Sequence, residues 1–290
     1  MTKPPFKTIA IAGLGLIGGS IALAVRERWP SIRVLGIDTE AVLAHALGGG
    51  AIDRAVESVA ALRDADLLIL AAPVRQNLSL LQGLGGPDKV RSTGVPFVVT
   101  DVGGTKRAIV ELGRTVAKPA TFVGGHPLGG GERGGFAFAR PDLFAGRPWV
   151  FTPDADSDSA AVVRLSAFAS GLGARPVTME AAAHDRLMAY VSHLPQLTAS
   201  ALMEIVGAAA TPDGLRMAGK GLFDTTRLAS SPADVWRDIC ATNADVIGEA
   251  LDRLIARLTE LRADLDRGDK VEATFDEAAR WRAELVKPPA

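Results

Sequence analysis

Four histidines occur in the sequence, and one of them lies in a segment suited to acid–base chemistry. His126 stands in Gly124-Gly125-His126-Pro127-Leu128, and three further glycines follow. An imidazole titrates near neutral pH, so the neutral ring can accept a proton at physiological pH. We therefore predict that His126 is a catalytic base, to which the flanking glycines give a substrate close access. The alternative is a turn histidine that bonds to the backbone.

A glycine-rich turn near the N-terminus has the spacing of a dinucleotide-binding site. It follows the G-x-G-x-x-G pattern between a predicted strand and an apolar helix, and Asp38 lies 20 residues beyond its last glycine. Backbone N–H groups at the helix start would bind a pyrophosphate. Asp38 would accept hydrogen bonds from the adenosine ribose and repel a 2′-phosphate, so we predict NAD as the cofactor. The predicted cofactor-binding residues are Gly13, Leu14, Gly15, Leu16, Ile17, Gly18, Asp38 and Pro73.

Four more polar residues are candidates for substrate binding, and each has a structural alternative. Arg227 could hold a carboxylate through two parallel hydrogen bonds, or it could form an ion pair with Asp224. Glu132 is either a polar group of the site or a solvated loop residue. His193 is close to the helix-disturbing Pro195 and is either a site residue or a packed core histidine.

The elements that must position these residues begin with a predicted parallel sheet. Short apolar runs alternate with helical segments, which is typical of a sheet covered on both faces. The predicted strands are 8–12, 33–37, 66–71, 96–100, 121–124, 149–152 and 175–177. Loops that follow such strands open at one edge of the sheet, so the glycine turn, Pro73, the segment 101–106 and His126 should converge there. Pro73 also fits an ordinary strand-ending turn, and Lys106 is interpreted as a surface lysine.

The second part of the chain carries helical patterns. The segments 180–206 and 232–265 have apolar residues at helical spacing, and Ser231 is predicted to cap the second of them. We predict an α/β fold with a doubly wound parallel sheet of the Rossmann type at 1–178 and an all-helical domain at 179–290. The apolar faces of so small a helical unit would be buried by a second copy, which predicts a homodimer.

Composition excludes several other classes of protein. Lys+Arg is 32 and Asp+Glu is 33, so no basic excess favours a nucleic-acid partner. The apolar runs are shorter than the ~18 residues of a membrane span, so no membrane is expected. The single cysteine, Cys240, excludes an intrachain disulfide and a multi-thiolate metal site, and no metal is predicted. A reducing, cytoplasmic setting is the matching expectation.

Five motifs, taken in order, resemble those of the prephenate dehydrogenase family. They are Gly-Leu-Gly-Leu-Ile-Gly-Gly-Ser at 13–20, Asp-Val-Gly-Gly-Thr-Lys at 101–106, Gly-Gly-His-Pro-Leu at 124–128, Ser-His-Leu-Pro-Gln at 192–196 and Asp-Thr-Thr-Arg-Leu-Ala-Ser-Ser-Pro at 224–232. The resemblance implies an NAD-dependent enzyme of tyrosine biosynthesis that converts prephenate to 4-hydroxyphenylpyruvate, with a helical dimerisation domain.

The resemblance also implies roles for individual residues. His126 falls on the family's catalytic histidine. That histidine takes the proton of the ring hydroxyl as hydride leaves the carbon that bears this hydroxyl. Arg227 falls on the substrate-binding arginine, and Glu132 and Asp224 match acidic residues that form a network with it. His193 matches a histidine that lines the substrate site.

The sequence departs from the family pattern at three places, one of which is Gly129-Gly130-Gly131 in place of the usual Ala-Gly-Ser/Thr, and other readings remain open. Gly104 stands where the family usually has Ser, and Gln196 stands where it frequently has His. Arogenate and 4-amino-4-deoxyprephenate are therefore alternative substrates. Other classes are the β-hydroxyacid dehydrogenases and imine reductases, although 180–206 lacks the lysine that the former use. A non-enzymatic NAD sensor is a further alternative.

Replacement of Asp38 by Ser should relax the preference for NAD over NADP, because the carboxylate that repels a 2′-phosphate is lost. The ratio of kcat/KM for the two cofactors measures this preference in wild type and variant. Equal kcat/KM values for NAD and NADP in the wild-type protein would contradict the role given to Asp38.

Overall fold

The computed structural model describes residues 3–62, 65–84, 97–116, 120–131 and 133–287. Contacts divide the chain into two compact units, Met1–Asn243 and Ala244–Ala290. None of the helices within the described ranges is long and apolar enough to cross a membrane. Two predicted positions lie outside those ranges. They are Glu132 of the predicted site and Pro96, the first residue of the predicted strand 96–100.

An eight-stranded sheet forms the centre of the first unit. Its strands are β1 (Thr8–Ala12), β2 (Arg33–Ile37), β3 (Arg54–Ala55), β4 (Leu67–Leu70), β5 (Val98–Asp101), β6 (Thr121–Pro127), β7 (Pro148–Thr152) and β8 (Arg175–Thr178). Their order across the sheet is β3-β2-β1-β4-β5-β6-β7-β8. Neighbouring strands run parallel except β6 and β7, which pair antiparallel. The predicted Rossmann-type sheet is confirmed, with a short strand, β3, and one antiparallel pairing that the sequence did not predict.

Both faces of the sheet are buried at its central strands, which explains why those strands are continuously apolar. Every residue of β1 and β4 is buried. Successive side chains of a strand point to opposite faces. Accordingly, Ile9 and Ile11 of β1 belong to one apolar cluster, whereas Ala10 and Ala12 belong to another.

Helices cover the sheet and form the rest of the first unit. They are α1 (Leu16–Arg28), α2 (Glu40–Gly48), α3 (Val74–Gln82), α4 (Arg107–Gly113), α5 (Ser159–Gly171), α6 (Ala181–Met188), α7 (Leu194–Ala209), α8 (Pro212–Leu215), α9 (Lys220–Thr226) and α10 (Ala233–Thr242). The second unit contains α11 (Ala244–Arg262) and α12 (Asp269–Leu285).

One π-helical turn, Ala189–His193, interrupts the helix predicted over 180–206. The N–H of Leu194 donates to the carbonyl of Ala189, which is one residue further back than in an α-helix. Pro195 follows directly, and it has no N–H with which to continue the regular α-helical ladder. The wider turn therefore lies immediately before the proline and ends at His193.

The helix predicted over 232–265 is two helices, α10 and α11, with Asn243 between them. The predicted cap is also wrong, because α10 begins after Pro232 and has no side-chain cap. The hydroxyl of Ser231 instead donates to Oε1 of Gln196 at 3.0 Å. A long-range partner thus competes with the local cap and fastens the chain before α10 to α7.

The same substitution should have different effects at Gly15, which precedes α1, and at Gly18, which lies in the first turn of α1. A Cβ on Gly18 would lie 1.9 Å from the carbonyl oxygen of Gly13, whereas a Cβ on Gly15 would meet nothing within 4 Å. Gly18→Ala should lower the free energy of unfolding by about 1–3 kcal/mol, since backbone must shift to relieve the clash. Gly15→Ala should leave stability within about 0.5 kcal/mol and weaken dinucleotide binding, because the methyl group fills the space beside the helix start. Thermal unfolding and NAD titration measure both effects, and equal melting temperatures for the two variants would contradict the packing argument.

Candidate active site

The glycine turn packs against the end of β4 and leaves the start of α1 open. Gly13 has a φ of 96°, which favours glycine, and its N–H donates to the carbonyl of Ile37 at 2.9 Å. A Cβ on Gly13 would lie 2.6 Å from backbone atoms of Ala71 and Ala72. No side chain caps α1 at Gly15, where a Cβ would enter open space. The positive end of the helix and this space fit the pyrophosphate of NAD.

Asp38 follows β2 and is oriented by two backbone N–H groups. Its Oδ2 accepts from Leu14 at 2.6 Å, and its Oδ1 accepts from Thr39 at 2.7 Å. Each carboxylate oxygen keeps a further acceptor position, so the ribose hydroxyls of NAD can still bind. Leu14 is buried beneath the turn, and Leu16 and Ile17 are half-buried at the start of α1.

Pro73 is exposed and is the N-cap residue of α3. The turn before it is held by the buried side chain of Asn77. Asn77 Oδ1 accepts from the N–H of Ala72 at 3.0 Å, and its Nδ2 donates to the carbonyl of Leu70 at 3.1 Å. The turn is therefore fixed in place next to the glycine turn, which contacts it at Ala71.

Lys106 is fully buried, so its interpretation as a surface lysine is wrong. Its ammonium group forms an ion pair with Asp101 at the end of β5 and donates to the carbonyl of Gly125 at 2.7 Å. Asp101 also accepts from the N–H groups of Gly103 at 2.8 Å and Gly125 at 3.0 Å. Burial lowers the pKa of Lys106, and Asp101 offsets only part of that effect. These contacts tie β5 and the following loop to β6, one residue before His126.

His126 lies in β6, which continues beyond the predicted strand end at 124 because it pairs there with β7. Its Nδ1 is 2.9 Å from Nε2 of His184 in α6. Its Nε2 has no hydrogen-bond partner among the residues that the structure describes. Burial lowers the pKa of His126 well below the ordinary value, and His184, Lys106 and His193 lower it further. The ring is therefore neutral at physiological pH.

Asp185 is fully buried and connects His184 to the start of α4. Its Oδ1 accepts from His184 Nδ1 at 2.8 Å and from the N–H of Lys106 at 2.7 Å. Its Oδ2 accepts from the N–H of Arg107 at 2.9 Å. Burial acts to raise the pKa of Asp185, but the hydrogen bonds from His184, Arg107 and Lys106 outweigh it and hold that pKa below its ordinary value.

His193 ends the π-helical turn and is buried. Its Nδ1 is 3.4 Å from Nδ2 of Asn243, and its ring meets the edge of Trp236 at 6.0 Å between centroids. Asn243 Nδ2 also donates to the carbonyl of Asp185 at 2.9 Å. Burial lowers the pKa of His193 to about 4, so this ring is neutral too. Asn243 thus places His193 in the same polar cluster as Asp185.

Arg227 and Asp224 are both exposed and form no ion pair with each other within the described ranges. Asp224 lies in α9, and Arg227 begins the 3₁₀ turn Arg227–Ser230. Gln196 fastens this turn to α7: its Nε2 donates to the carbonyl of Leu228 at 2.6 Å, and its Oε1 accepts from Ser231. Gln196, which stands where the family frequently has His, therefore supports the turn that carries Arg227.

The loops after the strands converge on one region of the first unit. A Cβ on Gly131 would lie 3.3 Å from the side chain of Leu16, next to the glycine turn. A Cβ on Gly104 would lie 3.5 Å from the side chain of Ile239 in α10. Within the described residues, no group of three or more His, Cys, Asp or Glu side chains could hold a metal ion.

The sequence prediction missed His184, Asp185 and Asn243. One signal was available for the first of them, since His184 precedes the buried Met188 by four residues and so lies on the same face of α6. A histidine on a buried helix face needs a polar partner. The partners of His184 come from β6 and from the start of α4, and helical spacing alone does not identify them.

Comparisons with known proteins agree with this geometry. The family model for the nucleotide-binding domain of prephenate dehydrogenase matches residues 21–178, and the model for its dimerization domain matches residues 180–277. The prephenate dehydrogenase of Bacillus subtilis (strain 168) is 35% identical over 90% of this chain and 71% of its own length. The cyclohexadienyl dehydrogenase of Zymomonas mobilis is 31% identical over 97% of this chain and 96% of its own length.

A solved structure shares the fold of the whole chain. The prephenate dehydrogenase of A. aeolicus, determined in complex with hydroxyphenyl propionate and NAD+, matches with a TM-score of 0.86 at 27% identity. The match covers 98% of this chain and 99% of that chain. These findings confirm the resemblance found in the five sequence motifs. The chain belongs to the prephenate dehydrogenase family of NAD-dependent dehydrogenases.

Proposed function

We propose that this protein oxidises and decarboxylates prephenate with NAD, giving 4-hydroxyphenylpyruvate, CO2 and NADH for tyrosine biosynthesis. The observation that carries the proposal is the state of His126. One ring nitrogen is held by His184, the other has no partner among the described residues, and burial lowers the pKa of the ring well below its ordinary value. Such an imidazole is ready to accept a proton from a substrate hydroxyl.

The first part of the site binds the cofactor. NAD supplies the hydride acceptor when it is bound. The backbone N–H groups of the segment 13–18 at the start of α1 bind its pyrophosphate, and Asp38 accepts hydrogen bonds from its ribose hydroxyls. Pro73 borders the nucleotide at the neighbouring turn.

His126 performs the acid–base step. Its Nε2 takes the proton of the ring hydroxyl while the hydride leaves the carbon that bears this hydroxyl. The carbonyl that forms accepts the electron pair released when the ring carboxylate leaves as CO2, and the ring becomes aromatic. His126 then returns the proton to the phenolate oxygen and is neutral again at the end of the reaction.

Arg227 binds a substrate carboxylate in this proposal. Its guanidinium is exposed and has no carboxylate partner among the described residues, which leaves its planar donor groups for a ligand. Asp224 and Glu132 match acidic residues that form a network with this arginine in the family, so we assign both to substrate binding, and the neutral ring of His193 borders the substrate.

We assign cofactor binding to residues 1–178, and substrate binding and dimerisation to residues 179–290. In the second compact unit, α11 and α12 expose large apolar side chains that a second copy would cover. These side chains are Ile255, Leu258, Phe275 and Trp281. A cytoplasmic homodimer, with a single cysteine in each chain, fits this assignment.

Because of Gly104, arogenate and 4-amino-4-deoxyprephenate remain alternative substrates. A Cβ at this position would make only ordinary contact with Ile239, so the serine usual in the family would fit here and its hydroxyl is missing. An assay of NADH absorbance that offers prephenate, arogenate and 4-amino-4-deoxyprephenate in parallel tests the function. The highest kcat/KM should be found with prephenate. Turnover of none of the three would overturn the proposal.

Replacement of His126 by Asn should lower kcat by about 10²–10⁴-fold, the usual contribution of a positioned general base. NAD affinity should stay unchanged, because the nucleotide contacts lie on other strands. Steady-state kinetics and NAD titration measure the two quantities. His45→Asn, at an exposed position of α2, is the matched control and should keep the wild-type kcat. Near-normal turnover of His126→Asn would show that the base lies elsewhere.

Replacement of Arg227 by Ala should raise KM for prephenate by roughly 10- to 150-fold, since a charge-assisted hydrogen bond contributes about 1.5–3 kcal/mol. The melting temperature should barely change, because this exposed side chain has no ion pair within the described residues. Arg216→Ala, another exposed arginine in the helical segment after α7, controls for loss of positive charge. A destabilised Arg227→Ala protein with an unchanged KM would instead indicate a structural role.

A further inference from the structure

We propose that His184 and Asp185 are positioning residues that fix the tautomer and orientation of His126. The inference rests on the proposed function, because it concerns how the base of that reaction is held. It assigns a role to a buried dipeptide of α6, His184-Asp185, whose hydrogen bonds connect His126 to the start of α4.

Asp185 is the fixed end of the arrangement. Its two oxygens accept hydrogen bonds from the backbone N–H groups of Lys106 and Arg107 at the start of α4. The side chain of Arg107 adds a weaker contact at 3.4 Å from Nε to Oδ2. A carboxylate held in this way can only accept hydrogen bonds, so the proton of His184 must lie on Nδ1, 2.8 Å from Asp185 Oδ1.

The tautomer of His184 determines that of His126. A His184 ring that carries its single proton on Nδ1 has its lone pair on Nε2, and this nitrogen accepts from His126 Nδ1 at 2.9 Å. The two ring planes are inclined by 68°, so the rings do not stack and the nitrogens make the contact. His126 is therefore left with its lone pair on Nε2, which is the nitrogen without a partner in the described residues.

The pair also bears on the charge that forms during turnover. When His126 takes a proton, its imidazolium stays hydrogen-bonded to His184. The other nitrogen of His184 is hydrogen-bonded to the carboxylate of Asp185. This carboxylate opposes the effect of the nearby ammonium of Lys106, which Asp101 already neutralises in part. His184 thus orients the base before the reaction and connects it to a negative charge afterwards.

Two substitutions of His184 separate these contacts. The terminal atoms of Gln come close to the position of the imidazole Nε2, so His184→Gln keeps an acceptor for His126. The terminal atoms of Asn come close to the position of Nδ1, so His184→Asn keeps the bond to Asp185 and loses the acceptor. Both variants are uncharged and polar, and the comparison therefore isolates the contact to His126 from the general effect of changing a buried histidine.

We expect kcat of His184→Asn to fall by about 10- to 100-fold, with KM for prephenate and NAD within about threefold of wild type. The loss should be smaller than that of His126→Asn, because an unsupported imidazole still samples the productive orientation. His184→Gln should recover most of the lost activity. Equal losses of kcat in the Asn and Gln variants, or no loss in either, would overturn the proposal.

The tautomers can be observed without any turnover. Protein labelled with 15N-histidine contains only four imidazoles, so NMR correlations from ring nitrogens to ring protons can be assigned with single substitutions, His45→Asn among them. At pH 7 the resting wild-type protein should show the Nδ1–H form for both His126 and His184, and His184→Asn should show mixed tautomers at His126. A His126 ring that carries its proton on Nε2 in the wild-type protein would refute the positioning role even if prephenate is the substrate. Conversely, the expected tautomers in a protein that turns over none of the substrates would leave the positioning role intact and reject the proposed function.

Discussion

The buried carboxylate of Asp101 is the contact on which the rest of the site depends. It forms an ion pair with the ammonium of Lys106 inside the protein and accepts hydrogen bonds from the N–H groups of Gly103 and Gly125. A buried ion that loses its partner destabilises a protein by about 3–5 kcal/mol, so the loop after β5 cannot move independently of β6. Because Gly125 precedes His126 directly, the ion pair fixes the place of the base along the sheet edge.

A second buried carboxylate extends this frame into the helical segment. Asp185 accepts the N–H groups of Lys106 and Arg107, which are 79 and 78 residues away in sequence. The two sides of His126 are thus held by different parts of the chain: its backbone through Asp101, and its Nδ1 through His184 and Asp185. Burial of this polar cluster also lowers the pKa of His126 and of His193, so the cost of desolvation keeps both rings neutral.

Local rules were sufficient where a residue's environment depends on its own neighbours in sequence. The glycine turn and the strands other than β3 followed from spacing and from apolar runs, whereas the two exposed residues of β3 form no apolar run. The antiparallel β7 did not, since a strand buried on both faces carries no signal of its direction. Long-range partners overrode the other expectations: β7 extends β6 past Gly124, Asp101 allows Lys106 to be buried, and Gln196 takes the hydroxyl of Ser231. The support of His126 by His184 joins residues 58 positions apart, beyond the reach of any local pattern.

The space beside Gly104 has an evolutionary consequence. The groups that hold the base are buried carboxylates and backbone N–H groups, whereas Gly104 faces Ile239 at a distance that would accommodate a small side chain. A small side chain at residue 104 would therefore leave the proton acceptor in place. Descendants of one ancestral enzyme could in this way come to favour different ring substituents while they inherit the same chemical step, and a single loop position would be enough to begin that divergence.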